Sequence, residues 1–157
     1  MAKYIFLIIV LALVVSYFVR SNANRETAKI NAIEAEQFLA QNRQVEGVIE
    51  TGSGLQYQVL SVGSGEIHPK ASSKVKVHYH GTLLDGMVFD SSVERNEPIS
   101  FGLNQVIKGW TEGLQLMVVG EKTRLFIPAA LGYGNSATGK ISAGSLLIFD
   151  VELLAIN

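Results

Sequence analysis

The stretch Lys74-Val75-Lys76-Val77-His78-Tyr79-His80-Gly81 alternates between polar and apolar side chains. Side chains of an extended strand point to opposite faces in turn, so this pattern describes a strand with one face buried and one in solvent. Val75, Val77 and Tyr79 form the inner face. Further along, Asp85-Gly86 is a hairpin-type turn leading into Met87-Val88-Phe89. The period then lengthens, and Val106, Ile107, Trp110, Leu114 and Met117 fall on one face of a short helix. Residues 123–127 return to strand, Pro128 stops it, and residues 146–154 close the chain as another strand. Before the central stretch, Leu55, Tyr57 and Val59 alternate with Gln56 and Gln58, and the glycines of 47–54 mark the start of the folded domain. Several strands with one short amphipathic helix between them read as an α+β domain, mostly antiparallel.

The first 46 residues read differently. Residues 4–19 carry no charge, and Ser16 is their only clearly polar side chain. A helix of this length spans roughly 24 Å, somewhat under the ~30 Å hydrocarbon core of a bilayer. Tyr4 and Tyr17 are placed to sit at the two interfaces, with Lys3 and Arg20 snorkelling outward. Residues 1–22 are therefore expected to be a transmembrane helix or a signal segment. Arg20 and the bulky Tyr17-Phe18-Val19 make a poor cleavage site at Ser21-Asn22-Ala23, which favours a retained anchor. Residues 23–46, rich in Ala, Glu and Gln, predict a solvated helical stalk or linker. Their apolar positions Ile30, Ile33, Phe38 and Leu39 make only a partial stripe.

Composition narrows the function. The chain has 157 residues, 48% hydrophobic and 17% charged, with a net charge of -1, so there is no basic footprint for nucleic acid. Residues 1–44 are net positive and the remainder net negative, which implies two parts with different jobs. The absence of cysteine excludes thiolate catalysis, disulfides and zinc-thiolate sites. Gly134-Asn135-Ser136-Ala137-Thr138-Gly139-Lys140 has the outline of a phosphate loop. The next residue is Ile141, where Ser or Thr must hold magnesium, and no strand feeds it. His78 and His80 share a strand face with Lys74 and Lys76 and no nearby carboxylate, so an exposed polar face is expected there and not a metal site. No nucleophile elbow occurs.

What marks the domain instead is a set of aromatic and aliphatic segments punctuated by glycine. They are Val77-His78-Tyr79-His80-Gly81-Thr82-Leu83, Phe89-Asp90-Ser91-Ser92, Val106-Ile107-Lys108-Gly109-Trp110-Thr111-Glu112-Gly113-Leu114, Phe126-Ile127-Pro128, Tyr133-Gly134 and Leu147-Ile148-Phe149-Asp150-Val151-Glu152-Leu153. In this order they closely resemble the FKBP-type peptidyl-prolyl cis-trans isomerases, bacterial members with a tethering N-terminus above all. The resemblance covers about residues 45–157, and the first 44 share nothing specific with the family core.

The resemblance implies a bent antiparallel β-sheet wrapped around the short α-helix, with residues 47–157 as the isomerase domain. It implies catalytic positions at Tyr79, Phe89, Asp90, Trp110, Tyr133 and Phe149, and substrate-binding positions at Val106, Ile107, Arg95, Ile99 and Ile141. Trp110 corresponds to the floor on which the proline ring rests, and Ile107 to a backbone N–H donor. Tyr133 corresponds to a hydroxyl donor, Asp90 to a rim carboxylate, and Arg95 to a loop residue beside it. Partners would be proline-containing unfolded or nascent polypeptides and macrolide inhibitors, with the membrane engaged through the N-terminal helix. No cofactor or metal is called for.

Read without the family, Trp110, Phe89, Val106, Ile107 and Phe149 are ordinary core by periodicity. Asp90 is not, because an acid directly after a buried-looking Phe needs a partner. Ile99 stands where many relatives carry a pocket Phe, and Ser142-Ala143 where Pro-Pro is common. A binding module or holdase with little turnover is the competing function. The resemblance implies a periplasmic domain on the bacterial inner membrane, whereas Arg20, Arg25 and Lys29 favour the cytoplasmic side by the positive-inside rule.

Overall fold

The computed structural model describes residues 2–157, the side chains of residues 2–4 and 7 apart. In order come α1 (Ala2–Asn42), β1 (Val48–Glu50), β2 (Gln56–Ser61), β3 (Lys74–Thr82), β4 (Val88–Ser91), β5 (Ile99–Gly102), α2 (Lys108–Leu114), β6 (Lys122–Ile127) and β7 (Leu147–Ile156). The strands make one sheet in the order β1-β2-β6-β7-β3-β4, with β5 also on β3. β3 has β7 along one edge, while β4 takes His80–Thr82 and β5 takes Lys74–Val77 on the other. Every pairing is antiparallel. Register shifts at Lys76/Val77, Gly81/Thr82 and Val59/Ser61 put bulges into the sheet, which bend it.

The inner face of the sheet buries Val75, Val77, Leu125, Ile127, Val151 and Leu153 completely, together with Leu103, Leu114 and Met117 from the helical side. Each such side chain stabilises the fold by roughly 1.5–3 kcal/mol. α2 approaches closely because two of its residues lack side chains. A Cβ on Gly109 would stand 2.5 Å from Ile127 Cγ2, and one on Gly113 would stand 2.8 Å from Leu125 Cδ1. The outer face is polar, as the alternation in β3 predicts. His78 lies opposite Glu152, and His80 opposite Asp150. Asp150 in turn accepts two hydrogen bonds from Arg124, at 2.6 and 2.8 Å. Strand pairing thus brings carboxylates beside the histidines that sequence proximity does not reveal.

The alternation in β2 misleads. Leu55 and Gln56 are both fully buried, while Val59 is 44% exposed. The reason is α1, which crosses this end of the sheet. Gln56 Nε2 donates to the Leu39 carbonyl at 2.9 Å and to Glu50 at 2.7 Å, and its Oε1 accepts from Asn42 Nδ2 at 2.8 Å. β1 and β5 were not foreseen either. β1 is three residues within a glycine-rich stretch, and β5 runs Ile-Ser-Phe-Gly, too short to show a period.

The amino-terminal expectation changes most. α1 is a single helix of 41 residues, so the apolar run and the stalk are one element. Among the described residues no helix is long and apolar enough to cross a membrane, and part of the segment expected as an anchor or signal over 1–22 lies outside the described side chains. Lys3 and Tyr4, assigned to one interface, lie outside the described side chains. The second half of α1 is a stalk laid along the domain. Ala28 and Ala35 are buried, Phe38 packs on Phe126 with ring centroids 5.8 Å apart, and Arg43 pairs with Glu50.

Candidate active site

Between α2, the inner face of the sheet and the loop before β7 lies a cavity of about 660 Å³. Its floor is an aromatic cluster. Trp110, on α2, meets Phe149 of β7 edge-on at 5.1 Å, Tyr79 of β3 edge-on at 5.4 Å, and Phe101 of β5 at 5.2 Å. Phe89 of β4 meets Phe149 edge-on at 5.2 Å. Edge-to-face contacts place the positive rim of one ring on the negative face of another and hold each ring in one orientation. Gly81 makes room for two of them, since a Cβ there would stand 2.7 Å from the Phe89 ring and 2.8 Å from that of Phe149. Tyr79, Trp110 and Phe149 are at most 7% exposed, yet all three line the cavity.

One side carries a charged cluster. The Tyr79 hydroxyl donates to Asp90 Oδ2 at 2.5 Å, and Arg95 bonds both Asp90 Oδ1 and, at 3.1 Å, the Tyr79 oxygen. Asp90 therefore has the partner its position demands. Burial raises its pKa, but the bonds from Tyr79 and Arg95 and the Arg95 charge outweigh that, and the carboxyl lies below its ordinary value. Burial, and then the Asp90 bond, push the Tyr79 phenol above its own. At neutral pH Asp90 is an acceptor with its lone pairs engaged and Tyr79 keeps its proton. The pair fixes the Tyr79 ring and is not poised to exchange protons with a ligand. Ser92 fastens the strand behind it, accepting the Tyr79 N–H at 2.8 Å while its own N–H bonds the Tyr79 carbonyl at 3.0 Å.

The other side is lined by Val106 and Ile107 at the start of α2. The Ile107 carbonyl accepts from Trp110 and Thr111, while its N–H has no backbone partner among the described residues. Across from it stands Tyr133, 41% exposed, whose hydroxyl has no hydrogen-bond partner among the described residues. Two donors without a partner among the described residues thus belong to residues that line the cavity above its apolar floor. Trp110 Nε1 is also buried without a partner.

All six positions expected as catalytic line this cavity, as do Val106, Ile107, Ile99 and Ile141. Arg95 does not, and reaches the site through Asp90 and Tyr79. Phe101, Gln105 and the turn Thr138-Gly139-Lys140 line it without having been foreseen. Phe101 supplies an aromatic wall two residues beyond aliphatic Ile99, and the β3–β5 register, which pairs Val75 with Phe101, puts it there. The segment dismissed as a phosphate loop closes the cavity's outer side, pinned by bonds between Thr138 and Ile141 at 2.8 and 2.9 Å.

An aromatic floor, two rim donors and no acid, base or nucleophile poised for bond cleavage describe a site that grips an apolar group. The comparisons agree with that geometry. Residues 65–154 match the family model described as FKBP-type peptidyl-prolyl cis-trans isomerase. Residues 12–59 match that of the domain amino terminal to FKBP-type isomerases, so much of α1 also has a family counterpart. The chain is 54% identical over 138 residues to the FKBP-type isomerase FkpA of Aeromonas hydrophila, covering 88% of this chain and 51% of that protein. It is 48% identical over 133 residues to the FKBP-type 22 kDa isomerase of Escherichia coli, covering 84% and 64%. The chain thus spans between about half and two thirds of the length of these curated relatives. The crystal structure of FkpA from Escherichia coli superposes with a TM-score of 0.84 at 38% identity, over 94% of this chain and 71% of that one. An isomerase structure from Pseudomonas syringae gives 0.76 at 36% identity, over 83% and 96%. With the aromatic cavity assembled from the very segments that these matches span, the chain belongs to the FKBP-type peptidyl-prolyl cis-trans isomerase family.

Proposed function

We propose that this chain is a peptidyl-prolyl cis/trans isomerase that turns X–Pro bonds of unfolded or nascent polypeptides in the aromatic cavity. The observation that carries the reading is the Trp110 floor, walled by Tyr79, Phe101 and Phe149, beneath the free Ile107 N–H and the Tyr133 hydroxyl. Rotation about the bond faces a barrier of roughly 18–20 kcal/mol, mostly lost amide resonance. No bond breaks, so no nucleophile, metal or strong acid is needed. In the twisted transition state the carbonyl is less polarised than in the planar amide. An apolar, water-poor cavity therefore disfavours the planar form more. The proline ring rests on Trp110, and Ile107 and Tyr133 hold carbonyls of the flanking chain. Speeding the reaction ~10⁵-fold requires about 7 kcal/mol of differential stabilisation.

The catalytic unit in this reading is residues 47–157, with the N-terminal segments 1–22 and 23–46 as its extension. The same cavity would take a macrolide inhibitor, held less firmly on the Ile99 side. We place the domain in the periplasm, a reading supported by a relative 41% identical, from Legionella longbeachae, named outer membrane protein MIP. Protease added to spheroplasts then removes a C-terminal tag before the inner membrane is broken.

The deciding experiment is isomerisation of an X–Pro peptide by the full chain, run beside aggregation of a proline-free client. Acceleration that falls about a hundredfold in Trp110→Ala supports the isomerase. Suppressed aggregation without acceleration would instead support a holdase.

A further inference from the structure

The outer wall of the cavity is the segment from Tyr133 to Ile141, whose own stiffening is one tight turn closed by the Thr138–Ile141 bonds. Residues 132–144 include four glycines and no proline. Gly134, Gly139 and Gly144 all have positive φ, at 60°, 55° and 75°. Such a chain has many conformations to lose on ordering. Further stiffness is supplied from α1.

Ala28, Asn31, Ala35, Phe38 and Asn42 recur at intervals of three and four and so share one face of α1. That face lies on the domain. Asn31 Nδ2 donates to Ser142 Oγ at 2.9 Å and to the Ala143 carbonyl at 2.8 Å, so both amide protons go to one loop. At Gly144 the contact is backbone to backbone, where a Cβ would stand 2.6 Å from the Ala28 carbonyl oxygen. Ser142 and Ser145 bond each other through their hydroxyls at 2.9 Å, and the Gly144 N–H donates to the Gly134 carbonyl at 2.8 Å. The held loop continues directly into the cavity wall. Ile141 precedes Ser142, and Tyr133 precedes Gly134.

We infer that Asn31 of the amino-terminal helix is a positioning residue for the proline site, acting through Ser142 and Ala143 on Ile141 and Tyr133. This rests on the proposed reading of the cavity as the proline site. The wall meets the peptide beside the proline, while the floor takes the ring, so loosening the wall weakens the grip more than the turn of the bond. By linkage, a bound peptide must also tighten the docking of α1 by the same factor.

The test uses the full chain with Asn31→Asp, which keeps the shape and loses the Nδ2 donor, and Asn31→Ala as a second variant. Amide hydrogen exchange over residues 138–146 should quicken about five- to tenfold in both, the scale of one or two lost hydrogen bonds. Exchange in β3 and β7 should not change, which shows that the fold is intact. KM for X–Pro peptides should rise about threefold or more while kcat stays within about twofold. Unchanged exchange over 138–146 overturns the inference. Faster exchange with an unchanged KM overturns it too, since Asn31 would then hold the loop for stability alone. If the wild-type chain turns over no X–Pro peptide, the proposed function falls by itself. Peptide affinity followed by Trp110 fluorescence then replaces KM, with weakened affinity supporting the role of Asn31 and unchanged affinity ending it.

Discussion

The floor and the outer wall of the cavity are built on opposite principles. The floor comes from strands and a helix, with Tyr79, Trp110 and Phe149 locked edge-on within 5.1–6.2 Å of one another and almost fully buried. The wall is an exposed loop closed by its own Thr138–Ile141 bonds and held, at the adjoining Ser142 and Ala143, by two hydrogen bonds from a helix more than a hundred residues earlier in sequence. The floor owes its rigidity to packing, which no single side chain can easily loosen without leaving a hole. The wall owes its rigidity to a few polar contacts, and one substitution at Asn31 removes those from α1. In the proposed reading, a site that takes many peptides gains from this division, since the proline ring is constant and its neighbours are not.

The largest effect should follow from breaking the floor. Trp110→Ala removes the surface on which the ring would rest in the proposed reading and should lower kcat/KM about a hundredfold, close to 2.7 kcal/mol of transition-state stabilisation. Stability should fall by ~3–5 kcal/mol as well, so rates must be compared at equal folded fraction, checked by circular dichroism. Lys140→Ala, in the wall, should leave kcat/KM within about threefold, because Lys140 is exposed and makes none of the observed bonds. Equal losses in the two variants would erase the distinction between floor and wall.

This division also decides what could be read from sequence. Tyr79, Trp110 and Phe149 sit in periodic elements, on the side their neighbours mark as buried, and the family resemblance names them. Phe101 sits in a four-residue strand without visible period, so only the register against β3 puts it in the cavity. The docking face of α1 escaped for a different reason. A search for an apolar stripe finds Ile30 and Ile33, which prove to be 58% and 57% exposed. Of the stripe, Phe38 does dock, but the rest of that face is Ala and Asn, small enough for backbone to meet backbone and polar enough to bond a loop. Hydropathy scores such a face as solvent. Gln56 misleads in the same way, since its burial depends on polar partners from α1 and β1.

A smaller effect sharpens the comparison at the charged rim. Asp90 has a folded pKa below its unfolded value of about 3.9, so its contribution is complete above that pH and is lost as pH falls through the folded value. Asp90→Asn should therefore flatten the acid limb of stability below about pH 4, measured as Tm against pH. At pH 7 the cost should be of the order of 1 kcal/mol, since the Asp90–Arg95 pair is nearly half exposed and screened. Glu50, held low first by Arg43 and then by Gln56, contributes in the same window and remains in the variant. An acid limb identical to wild type would mean that Tyr79 is positioned by ring packing alone.

The smallest effect belongs to the far side of the sheet. His78 and His80 alternate with Val77, Tyr79 and Gly81, so they point away from the cavity that Tyr79 lines. Their links to the site are indirect: His78 Nδ1 pairs at 2.9 Å with Ser92 Oγ, which also accepts the Tyr79 N–H. Removing the imidazole leaves that serine its bonds to the Tyr79 backbone, so the strand behind the floor stays fastened. His80 likewise pairs with Ser91 Oγ, which keeps the Glu94 N–H. His78→Ala and His80→Ala should each change stability by no more than about 0.5 kcal/mol and leave X–Pro turnover within about twofold of wild type. A tenfold loss of turnover in either variant with an unchanged Tm would move the site to the polar face, where Glu152 and Asp150 stand opposite these histidines, and the aromatic cavity would then be core packing with an opening.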